Sequence, residues 1–464
     1  MDEKKINSSI EFINTIEENS LFVLKGTHTP YHDCLGNISK KKDSHYNFKI
    51  QNTFREYLDM RDIPDVILET SKYNLSVNKI FINNIDNNDS KGEIYQFSVM
   101  SLQEEEKKYF RLAIKRKDNN QVPLHHFFEY NYPFQINTFK SREQLKLEIN
   151  NNAFNFYFIT YQDIKYIFID SIQKLSYTEF YRSIYSILIS FGFITGKLPM
   201  DEGYFFAYDN TDYNNFVHAR YSTLIGSSSS IYNPIYTNAF SYISDNPTKA
   251  RNLNKQLKGI KEKEFSNLCT KAYDSPELSS VMYLLLEASK GSLQMMAGCY
   301  SMCLETLTHI IASDNEDKLN PIKDKRMAKK IKDDLLSVIN NNKDKLGDGY
   351  EILRNKIGNI NQATNRDKLI KPFHLLGIEL TIDDKECIDK RNDFLHGRMP
   401  DIEMGKIIDD KEFGKIFHTT LKLNILISAL ILKLIGFSGK ILNHTQIHNS
   451  ITKINLYEEI YRDI

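Results

Sequence analysis

The spacing of hydrophobic residues changes near the middle of this 464-residue chain. In the first half, short β-branched and aromatic runs alternate with polar residues, which predicts strands. The clearest of these runs lie at residues 79–82, 93–99, 109–114, 155–161, 166–169, 204–208 and 216–221. The two runs that flank Gln162-Asp163 predict a hairpin, and residues 178–193 have the spacing of a helix. The first half is therefore expected to form a curved, mostly antiparallel sheet with one or two helices.

In the second half, apolar residues recur at intervals of three and four, which predicts helices. We expect these at residues 276–312, 321–339, 350–360, 368–376, 383–396, 412–435 and from 456 to the end. The turn-rich residues 226–230 and 244–247 mark the change of pattern. The sequence thus predicts an α+β protein with a β-rich N-terminal sensor or regulatory domain (1–245). A helical linker (246–275) and an all-α helical bundle (276–464) follow it.

The charge balance limits the classes of partner. The chain has 60 basic and 60 acidic residues, and its formal net charge is +0. A protein without excess positive charge has no general electrostatic affinity for nucleic acid. Any RNA site must therefore be a local patch.

Cysteine use and hydropathy indicate a soluble cytoplasmic protein. The polar N-terminal residues predict no secretory signal. The longest uncharged apolar run, residues 423–432, is well short of the ~20 residues of a membrane span, so we interpret it as a buried helix. No cysteine belongs to a CxxC pair, which favours buried thiols in a reducing compartment. The cysteines are Cys34, Cys269, Cys299, Cys303 and Cys387.

The residues with the clearest chemistry lie near the C-terminus, in Arg391-Asn392-Asp393-Phe394-Leu395-His396-Gly397. An arginine can hold a phosphate through a permanently charged fork. A histidine can move protons near neutral pH, and Asn392 shares a helix face with His396. Gly397 suits a left-handed position just after a helix. His396 would then lie in the last turn, open to solvent, where the helix dipole favours its protonated form.

This segment resembles the Arg-x4-6-His signature of HEPN ribonucleases, in particular the Apea-like HEPN group of bacterial phage-defence proteins. The resemblance covers roughly the last 190 residues, on the scale of one domain. It implies a HEPN helical bundle that cleaves RNA, tRNA included, without a metal and leaves 2′,3′-cyclic phosphate and 5′-hydroxyl ends. It further implies a role in antiphage abortive infection, with a phage-encoded trigger. No cofactor, metal ligand set or membrane partner is expected.

Residues five apart on an ideal helix point about 140° away from each other, so Arg391 and His396 of one chain would not converge on one phosphate. The family's composite dimer sites resolve this difficulty and imply a homodimer or a higher even-numbered assembly. Residues 423–432 and 292–304 are the candidate interface surfaces.

Three further residues are candidates for the site. Glu305 lies in an apolar stretch, where the resemblance implies that it positions Arg391 or His396. An exposed helical face or a structural ion pair with Arg391 are the alternatives. Lys390 and Arg398 flank the motif and are candidates for RNA phosphate contacts, or for ordinary surface charge. Two competing functions stay open: a non-catalytic HEPN module that binds RNA or a nucleotide, and a structural dimerisation protein.

Overall fold

A computed structural model of the protein describes residues 4–18, 20–25, 35–40, 46–51, 66–70, 73–86, 89–99, 105–116, 124–129, 143–200, 202–398, 410–454 and 457–464. Its strands are β1 (Ser20–Lys25), β2 (Leu35–Lys40), β3 (Tyr46–Gln51), β4 (Val66–Thr70), β5 (Asn74–Asp86), β6 (Asp89–Val99), β7 (Tyr109–Arg116), β8 (Phe128–Glu129), β9 (Glu143–Ile149), β10 (Asn152–Tyr161), β11 (Ile164–Ser171), β12 (Lys197–Leu198), β13 (Glu202–Tyr208), β14 (His218–Thr223), β15 (Ser228–Ser229), β16 (Ile260–Lys261), β17 (Lys440–Leu442) and β18 (Tyr461–Asp463). Cys34 lies outside the described residues.

The helices lie mostly after the change of pattern at residues 226–247. They are α1 (Lys4–Glu17), α2 (Tyr177–Thr195), α3 (Pro247–Asn254), α4 (Glu262–Asp274), α5 (Pro276–Ala288), α6 (Leu293–Asp314), α7 (Glu316–Leu319), α8 (Lys325–Asn340), α9 (Lys343–Leu346), α10 (Gly349–Gly358), α11 (Asn365–Leu375), α12 (Ile382–Leu395), α13 (Asp410–Leu434), α14 (His444–Ile447) and α15 (Asn449–Thr452). The α+β class is confirmed, with an antiparallel sheet region first and a helical region after it.

The chain divides into two compact units. The sheet unit comprises Met1–Ser229 and Lys258–Ser279, and the helical unit comprises Ser230–Leu257 and Ser280–Ile464. Residues 246–275, which the sequence suggested as a linker, supply α3 to the helical unit and α4 to the sheet unit.

The sheet unit is built on one large antiparallel sheet. Its strand order is β3-β2-β1-β4-β5-β6-β14-β13-β7-β11-β10-β9, and β3 also pairs with β6. This extra pairing closes the first six strands into a ring. The predicted hairpin is confirmed: β10 and β11 pair up to Tyr161 opposite Ile164, and both turn residues, Gln162 and Asp163, have positive φ. Positive φ at both positions is the geometry of a type I′ turn, which matches the twist of the strands.

Helix α1 packs on the core of this sheet and was not predicted from the sequence. Its residues Ile10, Ile13 and Ile16 are at most 1% exposed and belong to the main core cluster of the sheet unit. Their spacing of three is one that predicts a helix, so the sequence contained a signal for α1 that was overlooked. Below the helix, the fully buried Arg111 binds Asp170 through two hydrogen bonds of 2.7 and 2.8 Å.

The helical unit is organised around α6 and α13, which pack against each other, while α11 and α12 pack against α6. Helix α13 is buried over the whole of residues 423–432, as expected. Its length and composition would suit a membrane span, but 94% of its most apolar window is buried inside the protein. That burial is consistent with the core helix of a soluble protein. Because residues 423–432 are covered within one chain, they are not an available interface surface, and that part of the interface prediction is wrong.

Three helix boundaries also need correction. The single helix expected at 276–312 is two helices, α5 and α6, because Ser292 starts a new helix by accepting a hydrogen bond from the Met295 N–H. The helix expected to open at Pro321 begins only at Lys325, where Asp324 caps it. The final helix expected from residue 456 is wrong: among the described residues there, β18 pairs with β17.

Candidate active site at the end of helix α12

Helix α12 carries the motif, and local hydrogen bonds fix both of its ends. At its start, the Thr381 hydroxyl accepts from the Asp384 N–H (3.1 Å), and the Asp384 carboxylate accepts from the Thr381 N–H (2.9 Å). This reciprocal pair is a capping box. At its end, the Gly397 N–H donates to the Phe394 carbonyl (3.1 Å) and the Arg398 N–H donates to the Asp393 carbonyl (2.8 Å). These two bonds define a Schellman motif.

The Schellman motif places His396 at the end of the helix. Gly397 has φ +68°, which confirms the expected left-handed position. His396 is the C-terminal cap residue and is exposed. Within the described residues, its ring makes no hydrogen bond or ion pair. The imidazole is therefore open to a ligand that approaches the helix end.

Arg391 lies on the opposite, inward side of α12. Its side chain belongs to the buried stripe of the helix, and the residue is 9% exposed. Its Nη1 lies 3.8 Å from the Glu305 carboxylate on α6, and the Glu305 side chain is 57% exposed. The buried Nε of Arg391 has no hydrogen-bond partner among the described residues. The guanidinium thus keeps an unused donor beside a carboxylate that solvent reaches.

The structure therefore brings Arg391 and Glu305 together, and among the described residues no hydrogen bond or ion pair joins either of them to the His396 ring. Asn392 lies one turn before His396 on the same face of the helix and, like His396, is exposed. The Arg398 guanidinium lies 3.9 Å from the Asp393 carboxylate. One chain consequently presents two half-sites: an exposed His396–Asn392 face and an inward Arg391–Glu305 pair.

A second polar group lies at the other end of α12, where the sequence had given no candidate. The Lys422 ammonium on α13 lies 3.0 Å from Asp383, 3.6 Å from Asp384 and 3.0 Å from Glu458. Arg462 of β18 donates two hydrogen bonds of 2.9 and 2.7 Å to Asp384. Lys422 and Asp384 are fully buried. We call Asp383, Asp384, Lys422, Glu458 and Arg462 the buried ion network.

His418 and Cys387 border the buried ion network. The His418 Nε2 lies 3.1 Å from the Asp383 carboxylate. Burial alone would raise the pKa of Asp383, but the hydrogen bond from His418 and the charge of Lys422 outweigh burial and lower it to about 2. Burial raises the pKa of the Cys387 thiol to about 12. Asp383 is therefore a permanent anion at neutral pH, and Cys387 a neutral thiol.

Asp383, Cys387 and His418 are also of the types that ligate metals, and one ligand atom of each lies within 4.8 Å of the others. A transition metal at that point would require a thiolate and an unshared carboxylate. The Lys422 ammonium already lies 3.0 Å from that carboxylate and supplies its countercharge. We therefore assign this group a structural role, with Lys422 as its cation.

The sequence contained a signal for the buried ion network. His418, Lys422 and Asn424 are polar residues within the buried part of α13, and His418 and Lys422 share one face. In the sequence Lys422 only marks the start of the uncharged run 423–432, and its burial was not predicted. No protein-family model, curated protein or solved structure matches the chain.

Replacing Gly397 with alanine should destabilise the end of α12. A Cβ there would meet no atom within 4 Å, so the cost arises only from the left-handed backbone, about 1–2 kcal/mol. Gly298→Ala is the matched control, because Gly298 also has open space but lies inside α6, where alanine is the better helix former by about 1 kcal/mol. Urea unfolding should show opposite signs for the two variants. Equal stability changes would show that the left-handed turn carries no energetic weight.

Proposed function

We propose that the helical unit is a metal-independent endoribonuclease of the HEPN type that acts in bacterial antiphage abortive infection. The cleaved bond would leave 2′,3′-cyclic phosphate and 5′-hydroxyl ends. The observation that carries this proposal is the exposed His396 at a Schellman-terminated helix end, with Asn392 on the same face and Arg391 on the same helix.

Cleavage by the internal 2′-hydroxyl has three chemical requirements. The hydroxyl must lose a proton as it attacks phosphorus, the leaving 5′-oxygen must gain one, and the charge on the five-coordinate phosphorus must be stabilised. His396 is suited to proton transfer because its ring is unoccupied and reaches solvent. Arg391 is suited to the phosphate because its Nε has an unused donor. Asn392 would orient the imidazole or bind a phosphate oxygen, while Lys390 and Arg398 would hold flanking phosphates.

Glu305 would act on Arg391 as a positioning residue. The two groups are 3.8 Å apart, which is within ion-pair range but too long for a hydrogen bond. A pair of this kind has no hydrogen bond that a phosphate would need to displace from Glu305. Because Glu305 is more than half exposed, exchanging this carboxylate for a phosphate would require little rearrangement.

The active assembly would be a homodimer or a higher even-numbered oligomer. In one chain, His396 is exposed while Arg391 is buried beside Glu305, and residues five apart on an ideal helix point about 140° away from each other, which supports a site shared between two chains. A second motif helix packed about a two-fold axis would supply the complementary half-site. The N-terminal sheet unit would sense a phage component, and the protein would act in the cytoplasm.

A non-catalytic module that binds RNA or a nucleotide is the second candidate function. The burial of Arg391 favours it, because a guanidinium that is 9% exposed beside Glu305 is less available to a reacting phosphate, while the exposed His396 and Asn392 can still bind RNA or a nucleotide. This candidate predicts that RNA binds but is not cut.

The test is incubation of the purified protein with total cellular RNA and a tRNA pool in EDTA, with and without phage-infected lysate. Wild-type protein should cut RNA and leave cyclic-phosphate ends, and His396→Ala should not. His374→Ala is a matched control, because His374 is also an exposed histidine in the last turn of a helix. Binding without cutting by the wild type under every condition would favour the second candidate. Full cutting by His396→Ala would reject the assignment of His396.

A further inference from the structure

The chain between α7 and α11 forms a helical hairpin whose two ends are held together by hydrogen bonds. It consists of α8, α9 and α10, and we call residues 323–360 the arm. At its base, the Asn361 side chain bonds both backbone groups of Ile322: it accepts from the N–H (2.7 Å) and donates to the carbonyl (3.1 Å). These two bonds hold the incoming and outgoing chains together. The arm is thus a defined element of the helical unit.

The arm buries very little of its own surface. Helix α10 has no buried residue, and α8 has only Ala328 and Ile339. Among the described elements, α8 and α10 pack chiefly against each other and against α9. Two helices alone cannot cover both of their apolar faces. By contrast, α13 buries nearly every residue from Gly414 to Leu432.

An apolar stripe therefore lies uncovered on α8. Met327 is 57% exposed and Val338 is 59% exposed, and the half-buried Ile331 and Leu335 lie between them at helical spacing. On α10, Ile352 is 59% exposed. The stripe runs along most of α8, whose 16 residues span about 24 Å. Uncovered apolar surface of this extent indicates an interaction site.

The charge on the arm is divided along its length. Residues 323–332, next to the base, contain six basic residues and one acidic residue, a net charge of +5. Residues 333–351, which form the distal part, contain five acidic residues and two lysines, a net charge of −3, and the returning residues 352–360 contain Arg354 and Lys356, a net charge of +2. The change of sign falls between Lys332 and Asp333, at the centre of α8. The arm is thus electrostatically complementary to an antiparallel copy of itself.

We propose that the arm docks onto the arm of a second copy of this chain, antiparallel, to form an intermolecular four-helix bundle. A two-fold axis between Lys332 and Asp333 places Met327 opposite Val338 of the second copy. The same axis sets the basic residues 323–332 of each chain alongside the acidic stretch that begins at Asp333 in the other chain. It therefore covers the apolar stripe and matches the opposite charges in one arrangement.

The charge pattern selects a second copy over other occupants. An RNA strand along the arm would meet the acidic distal part and be repelled. A parallel copy would place +5 beside +5. Only the antiparallel pairing satisfies both ends, since isologous contacts put each half against the opposite half. This interface stands on the arm alone and does not depend on RNA cleavage.

Cysteine cross-linking tests the pairing directly. We would prepare full-length Met327→Cys and Val338→Cys proteins, oxidise each alone, and then oxidise an equal mixture. In the antiparallel arrangement the two positions of different chains meet, so the mixture should form a disulfide-linked dimer. Met327→Cys alone should not, because its two copies are 11 residues apart along the paired helices, about 17 Å, beyond the reach of a disulfide. Wild-type protein under the same oxidant accounts for the native cysteines.

The mass of the assembly in solution provides a second, independent test. A Met327→Asp/Val338→Asp protein should lose one level of assembly in sedimentation velocity, from dimer to monomer or from tetramer to dimer. Both positions are more than half exposed, so the fold should remain intact by circular dichroism. Ile231→Asp is the matched control, because Ile231 is 67% exposed outside the arm and should leave the mass unchanged.

Three outcomes would overturn the proposal. These are cross-linking of Met327→Cys alone, absence of cross-linking in the mixture, and an unchanged mass of the double aspartate variant. RNA cleavage is measured on the same variants. A protein that loses arm pairing but still cuts RNA, or one that pairs but does not cut, would show that the two proposals stand or fail independently.

Discussion

Mixing the Arg391→Ala and His396→Ala proteins in equal amounts should restore RNA cleavage that neither variant shows alone. Arg391 is buried beside Glu305 while His396 faces solvent on the other side of the same helix. A site shared between two chains would take Arg391 from one and His396 from the other. In a random mixture, half of the dimers carry both variants, and each of these retains one intact site. Two-fold symmetry therefore predicts about a quarter of wild-type activity.

The parent variants define the size of the effect. Loss of a general acid–base group typically lowers the rate 10²- to 10⁴-fold, so His396→Ala should be near background. Arg391→Lys should also be impaired, because a lysine retains the charge but not the planar fork. The readout is the rate of appearance of cyclic-phosphate ends, after subunits have been exchanged and the dimer mass confirmed. A mixture that forms dimers but stays inactive would place the whole site within one chain and refute the shared arrangement.

How far the sequence predicted this candidate site depends on whether a feature is local or distant. The Schellman end at Gly397 and the turn at Gln162–Asp163 were predictable, because both arise from residues within one turn of each other. The capping of α12 by Thr381 belongs to the same class. The separation of Arg391 and His396 also follows directly from 3.6 residues per turn.

Features that depend on distant segments were missed. The burial of Lys422 is caused by Asp383, Asp384 and Glu458, which lie 39, 38 and 36 positions away along the chain and converge only in the folded unit. Nothing local to residue 422 therefore predicts its burial. Likewise, the boundary at Ser292 interrupts an apolar pattern that by itself favours one continuous helix. Sequence periodicity reports the face of a helix but not the partner that covers it.

Replacing Lys422 with methionine should be the most damaging single change in the helical unit. Lys422 is fully buried and contacts three carboxylates, two of them at 3.0 Å. Its removal would leave three anions with Arg462 as their main cation. Removing one member of a buried ion pair typically costs about 3–5 kcal/mol, because the remaining charge is left uncompensated. Urea unfolding monitored by circular dichroism should show a loss of this size.

Lys440→Met is the matched control for charge loss near the same C-terminal strand. Lys440 pairs with Asp463 at 2.6 Å, but the Asp463 side chain is 79% exposed. Pairs of this kind contribute about 0–1 kcal/mol. Equal effects of the two lysine substitutions would show that the buried ion network does not stabilise the fold beyond an ordinary surface pair.

Acid unfolding should separate the two lysine variants by a second route. The pKa of Asp383 is lowered from its ordinary value of 3.8 to about 2 in the folded protein, partly by the charge of Lys422. A lowered carboxyl pKa contributes stability at pH values above 3.8, and that contribution is lost as the pH falls from 3.8 toward 2.

Without Lys422 the folded pKa of Asp383 should rise toward or above its ordinary value, because burial then outweighs the remaining stabilisation by His418. The Lys422→Met protein should therefore unfold at a higher pH than the wild type in an acid titration. The Lys440→Met protein should unfold at the same pH as the wild type, because Lys440 does not contribute to the lowered pKa of Asp383.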